Sequence, residues 1–250
     1  MSARRLKGEG RNDMVPLKKA LSSSLGKKYL MAVSGLSIVG FLVVHLLGNL
    51  LLYSSDGTAF NTYAKGLHDL GPLLYVAEIG LIGIFGLHIV LAFMLTSKNK
   101  GARGSKYAGG QKSKGGPSYY SAASRNMIIT GMVILVFLVT HVMHFKYGLF
   151  SSEAIAAKTT MIGDESSMDL YARVVEAFKD PKWVVFYVAV MTFVGAHMRH
   201  GFWSAFQSLG ALNHRLEKPA VALGLIVAIV MAGGFLGIPV YIFLTQGLGA

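Results

Sequence analysis

The sequence predicts an all-α membrane protein, a bundle of five transmembrane helices in one domain. Three observations carry that expectation. Hydrophobic residues fill 53% of the 250 positions and charged residues only 14%, a balance typical of membrane proteins. Five apolar stretches, near 29–53, 72–96, 126–147, 183–207 and 219–245, each reach the roughly 20 residues with which a helix crosses a ~30 Å hydrocarbon layer. Finally, these stretches are continuously apolar, whereas strands of an outer-membrane barrel alternate over about ten residues.

Residues 1–27 are a basic tail, and the membrane domain runs from 28 to 250. The tail does not read as a cleaved signal peptide, because its basic part is long and the apolar run after it is a full span without a small-residue cleavage site. Loop 97–125 is basic and rich in glycine and serine, so it has little intrinsic structure, as has the tail. Loop 148–182 holds one short predicted helix, 169–179. Asp169 can cap it, while Leu170, Val174 and Phe178 share one face that lies against the bundle or the membrane surface. Span five has neither charge nor histidine, and Pro239 is expected to kink or end it.

The net charge of +12 is unevenly placed. Arg4, Arg5, Lys7, Arg11, Lys18, Lys19, Lys27 and Lys28 crowd the tail. Lys98, Lys100, Arg103, Lys106, Lys112, Lys114 and Arg125 crowd the loop after span two, and Arg215 and Lys218 follow span four. The loop after span three mixes its cations with Glu153, Asp164, Glu165, Asp169, Glu176 and Asp180. The positive-inside rule then sets the N-terminus in the cytoplasm and the C-terminus outside. Such a face suits anionic lipid headgroups or a soluble partner and argues against nucleic acid. Cysteine is absent, which excludes an iron–sulfur cluster, a thioether-bound heme and a disulfide within the chain.

His45, His88, His141 and His197 each lie inside a different apolar span, where an ionisable residue points to function. At 1.5 Å per residue, position converts to depth. His45 and His141 both fall past the middle of outward-running spans; His88 and His197 fall past the middle of inward-running ones. The four form an outer pair and an inner pair, and each pair can supply the two axial imidazoles of one six-coordinate heme. The expected bundle holds two stacked b hemes, an arrangement for electron transfer. Gly35, Gly40, Gly83 and Gly86 offer surfaces where a macrocycle or a helix can approach closely. His144 and His200 lie three residues beyond His141 and His197, beside Lys146 and Arg199. With Arg199 they read as propionate or headgroup partners nearer the water interface. His68 and His214 are expected to be solvated.

Several stretches resemble one family closely: GLSIVGFLVVHLLGNLLLY around His45, FNTYAKGLH after it, LHIVLAFMLTSKNKGAR around His88, SRNMIITGMVILVFLVTH up to His141, DLYARVVEAFKDP, and HMRHGFWSAFQSLG from His197. Over about residues 28–212 the chain is similar to the di-heme cytochrome b anchor of succinate:quinone oxidoreductases, the single-anchor, five-helix type of bacterial succinate dehydrogenases and fumarate reductases. The resemblance implies a bacterial cytoplasmic-membrane complex, open to higher oligomers, with a flavoprotein subunit holding FAD and an iron–sulfur subunit. This chain would exchange electrons with menaquinone or ubiquinone. It also implies that the four span histidines ligate heme. Some fumarate reductases of this type have a further glutamate two residues before the span-four ligand; Gly195 stands there, so the resemblance does not extend to that proton pathway.

Quinone chemistry needs a proton-exchanging group near a heme. Glu78, the sole carboxylate within the expected spans, lies in the outer half of span two. A carboxylate in hydrocarbon is costly unless neutralised or paired, so Glu78 reads either as that proton exchanger or as an interhelical hydrogen-bonding group. Two rival readings stand beside the family: the cytochrome b subunit of a formate dehydrogenase or hydrogenase, and a transporter with a histidine proton relay. Neither the internal repeats nor the interrupted helices usual in transporters are evident in the sequence.

Overall fold

The computed structural model describes residues 16–54, 56–101 and 126–248. Five of its helices are long and apolar enough to cross a membrane: Ser24–Tyr53, Pro72–Lys98, Met127–Lys146, Pro181–Ser208 and Glu217–Gly247. The chain is a multi-pass helical membrane protein. Arg4, Arg5, Lys7, Arg11, Arg103, Lys106, Lys112, Lys114, Arg125 and the glycine-rich stretch 104–116 lie outside the described residues.

Span one begins earlier than the hydrophobic run. The Ser23 side chain accepts the Gly26 amide at 3.0 Å and so satisfies one of the orphan donors of the first turn. A short helix, Leu17–Ser22, precedes it, where the sequence suggested little structure. Pro239 does not end span five; the helix runs on to Ile242 and closes in a π turn, Phe243–Gly247. The Lys98 ammonium bonds to Ser24 Oγ, so the start of span one and the end of span two share one end of the bundle, the basic end.

The opposite end is capped. Its lid comprises a helix, Thr58–His68, a hairpin pairing Thr159–Ile162 with Glu165–Met168, and the helix Leu170–Lys179. The first two departed from expectation: the sequence reading left 54–71 as a link and placed no strand anywhere. The second helix matches it. Asp169 Oδ1 accepts the Ala172 amide at 3.0 Å, and Val174 and Phe178 are buried with Leu170 packed beside them. Gln246 donates to Tyr171 Oη at 2.8 Å, which ties span five to the lid.

The chain also contains an internal repeat, which corrects the expectation of none. Met31, Gly35, Ile38, Phe41, Leu42, Val43 and His45 recur in register as Met127, Gly131, Ile134, Phe137, Leu138, Val139 and His141, with Thr130 in place of Ser34. In the lid, Asn61, Tyr63, Ala64 and Lys65 match Asp169, Tyr171, Ala172 and Arg173. Spans two and four both open on proline, Pro72 and Pro181, and both carry a Gly-x-His step, Gly86 to His88 and Gly195 to His197. Spans one and three run in the same sense, so the repeats are parallel. A residue that touches its own counterpart marks the axis relating two copies. Asn61 Nδ2 donates to Asp169 Oδ1 at 2.9 Å, His45 faces His141 and His88 faces His197. All three contacts mark one pseudo-two-fold axis along the bundle.

Two tyrosines of the lid lie over glycines of the first copy. A Cβ on Gly48 would fall 2.5 Å from the Tyr63 ring, and one on Gly57 2.4 Å from the Tyr171 ring. Each ring therefore needs a glycine beneath it, and Gly57 also starts its helix at φ +72°. The copies differ in burial. Of the most apolar window, 33% is buried in span four and 6% in span two, because span five packs mainly along span four, touches span one as well, and leaves span two uncovered.

Candidate functional site

Spans one and three bring His45 and His141 together with ring centres 5.8 Å apart. Spans two and four bring His88 and His197 together at 6.4 Å. The first pair lies toward the capped end and the second toward the basic end, since spans one and three run opposite to spans two and four. Among the described residues, no group of three or more His, Cys, Asp or Glu gathers as a metal site. The donors come in twos.

The capped-end pair is held by aromatic packing. Phe41 stacks on His45 at 5.4 Å and 17°, and its repeat counterpart Phe137 lies 5.4 Å from His141. Phe235 of span five covers His45, and Phe145 and Tyr187 flank His141. Asn49 Nδ2 approaches the His45 ring nitrogens at 3.5 Å, whereas His141 Nδ1 is buried without a hydrogen-bond partner.

The basic-end pair is held by hydroxyls. Ser34 Oγ lies 3.3 Å from His88 Nδ1, and Thr130 Oγ1 lies 3.1 Å from His197 Nδ1. Neither hydroxyl was singled out by the sequence reading. The signal was present: a hydroxyl residue followed by glycine stands at the same register before the histidine of each odd span.

His144 departs from expectation. It is 1% exposed, not near the water interface. Residues Val142–Lys146 form a π turn, which shifts the ring out of the α-helical register it would share with His141. There it stacks on Phe145 at 4.6 Å and 4° and packs against Trp183 at 4.4 Å. At the basic end, His200 is half-buried, 6.1 Å from the Trp203 ring, and Arg199 is exposed. His68 and His214 are exposed, as expected. A cleft of about 300 Å³ between Trp203, Gln207 and Glu217 opens beside His214.

Glu78 is paired across two helices. The carboxylate is not isolated in hydrocarbon: its Oε1 lies 2.5 Å from Lys146 Nζ, and the two side chains are 32% and 45% exposed. The pairing joins span two to the end of span three.

Outside the spans, Asp169 is the best-held carboxylate. Burial alone would raise its pKa, but hydrogen bonds from the Ala172 amide, Asn61 and Lys158 outweigh that effect and hold it below the usual value.

No family model, curated protein or solved structure matches this chain.

Proposed function

We propose that the chain is the di-heme cytochrome b anchor of a succinate:quinone oxidoreductase, passing electrons between an iron–sulfur subunit and a membrane quinone. One observation carries the reading: two histidine pairs, stacked along one pseudo-symmetry axis, each drawn from two spans. With metal–imidazole distances of about 2 Å and a further ~1 Å to the ring centre, opposed axial rings have centres roughly 6 Å apart. The observed 5.8 and 6.4 Å fit that spacing. Donors in twos suit a metal whose macrocycle supplies the other ligands.

Heme, when bound, supplies one-electron chemistry. The chain's part is to offer an imidazole nitrogen from each side, to shield both layers from water and to keep them in line across the bilayer. Its basic end, with Lys18, Lys19, Lys27, Lys28, Lys98 and Arg215, is the docking face for the soluble subunits, on the cytoplasmic side of a bacterial inner membrane. Arg199 and His200 are the candidate propionate partners there. Glu78, with its charge balanced by Lys146, is the candidate for proton exchange with quinone toward the capped end. His144, packed among aromatic rings, supports the capped-end site by shape.

The repeat is the one observation that favours a transporter, since parallel repeats build some transporter folds. None of the five described spans is broken in its middle, which favours the cytochrome. The test is the reduced-minus-oxidised spectrum of the purified chain, with the identity of its co-purifying subunits and succinate-to-quinone activity. Two b hemes reduced by succinate are expected. A colourless chain sinks the cytochrome reading, and hemes reduced by formate or hydrogen alone would transfer it to the rival dehydrogenases.

A further inference from the structure

The two hydroxyls behind the basic-end pair do more than fill space. Ser34 Oγ donates to the Met31 carbonyl at 3.1 Å, and Thr130 Oγ1 donates to the Met127 carbonyl at 3.1 Å. A hydroxyl has one proton and two lone pairs. Once that proton is committed three residues back along the helix, the oxygen can only accept from the imidazole. In that arrangement the proton of each ring sits on Nδ1, which leaves Nε2 of His88 and His197 with a free lone pair. Both hydroxyls are shielded from water, Ser34 being 4% and Thr130 7% exposed, so no solvent molecule competes for the bond.

The glycine eases the contact at one ring. A Cβ on Gly35 would crowd His88 Cε1 at 3.3 Å, whereas one on Gly131 would be in ordinary contact with His197 Cε1 at 3.6 Å. The repeat supplies an independent reason to regard the arrangement as built. Ala32 and Val33 have become Ile128 and Ile129, and Ser37 has become Val133, yet the methionine, hydroxyl and glycine recur together. At the capped end His141 Nδ1 has no such partner, so the hydroxyl device is specific to one layer.

We propose that Ser34 and Thr130 are positioning residues that fix the Nδ1–H tautomer of His88 and His197 and present their Nε2 atoms as the ligating pair. The proposal rests on the di-heme reading for the identity of the metal, but its tautomer can be read without any metal. A hydrogen bond from Nδ1–H also makes the imidazole a more basic ligand, which favours ferric over ferrous iron.

The experiment uses the full chain with Ser34→Ala, Ser34→Thr, Thr130→Val and Thr130→Ser. Redox titration of the hemes should show one midpoint potential raised in Ser34→Ala and in Thr130→Val, with the other unmoved. Heme retention in those two variants should weaken about 10- to 100-fold. Ser34→Thr and Thr130→Ser keep the hydroxyl and should match the parent. Ring ¹⁵N NMR of the metal-free chain should report Nδ1–H at His88 and His197, and a mixed tautomer in the two hydroxyl-free variants. Two hemes with unchanged potentials in Ser34→Ala and Thr130→Val would overturn the proposal, as would a parent chain with Nε2–H tautomers. A parent chain that binds no heme yet keeps Nδ1–H would instead overturn the di-heme reading while leaving the tautomer assignment standing.

Discussion

The two histidine layers come from one duplicated unit, yet they are held by different physics. At the basic end, each ring is anchored by a directional bond to a buried hydroxyl. At the capped end, the rings are wedged among Phe41, Phe137, Phe145 and Tyr187, under the lid. The difference follows from the surroundings. Among the described residues little covers span two, and its His88 ring is held by a directional bond, whereas the rings under the packed lid are held by shape. The repeat supplies the histidines, and each environment supplies its own means of orienting them.

The largest effect should come from removing a ligand. His197→Ala and His141→Ala should each cost one of two hemes, read as half the heme absorbance per chain. His144→Ala is the sharpening control. It empties a site between Phe145 and Trp183 and should cost about 2–4 kcal/mol of stability, as other large-to-small core changes do, while both hemes remain. Loss of one heme in His144→Ala would make it a ligand and break the layer comparison at the capped end.

Next in size is the lid itself. Arg173, 2% exposed, donates to the carbonyls of Phe145 and Ala156 at 2.9 Å and of Lys146 at 3.4 Å. Arg173→Met would strand those carbonyls and should cost about 3 kcal/mol, read as a lower melting temperature in detergent. Its repeat counterpart Lys65 bonds instead to Asp69 and Glu165, which are largely exposed. Lys65→Met should therefore cost less than about 1 kcal/mol. Equal losses would show that the lid is not where the copies diverge.

A smaller effect depends on pH. Because the Asp169 carboxyl is held below its unfolded value, its contribution is present above the unfolded pKa, about 3.9, and is lost as pH falls through the folded value. Asp169→Asn should therefore lower stability at neutral pH and flatten the acid limb of the stability curve, so that parent and variant converge below about pH 4. An identical acid limb would place that sensitivity elsewhere in the lid.

The parts legible in the sequence were those with a one-dimensional signature. Five apolar runs marked the spans, and the depth of four histidines sorted them into the pairs that stand face to face. The rest depends on contacts between distant segments. The Asn61 helix does carry apolar residues at i, i+3, i+4 and i+7, Phe60, Tyr63, Ala64 and Leu67, but they fill only two turns, and the helix is held by Tyr171 and Asp169, more than a hundred residues away. The hairpin has only four residues per strand. His144 was misplaced because a π turn, not an α turn, carries it. The repeat escaped notice because the hairpin, the basic loop and the exchange of packing for exposure in span two break any constant period.

The smallest expected effect concerns Glu78, and it bears on how far the capped-end layer is a working site rather than a packed one. Its pairing with Lys146 is partly exposed, and such pairs contribute at most about 1 kcal/mol. Glu78→Gln should therefore leave stability and both hemes nearly unchanged. The amide keeps the size of the side chain but cannot take or release a proton, so succinate-to-quinone turnover should fall several-fold while succinate oxidation with a soluble dye is spared. Lys146→Met separates charge from proton exchange: it removes the paired ammonium but leaves the carboxyl able to carry a proton, so quinone turnover should fall less than in Glu78→Gln. Unchanged turnover in both variants would reduce the pair to a strut between spans two and three. Quinone exchange would then have to be sought at the basic end, near Arg199, His200 and the cleft beside Trp203.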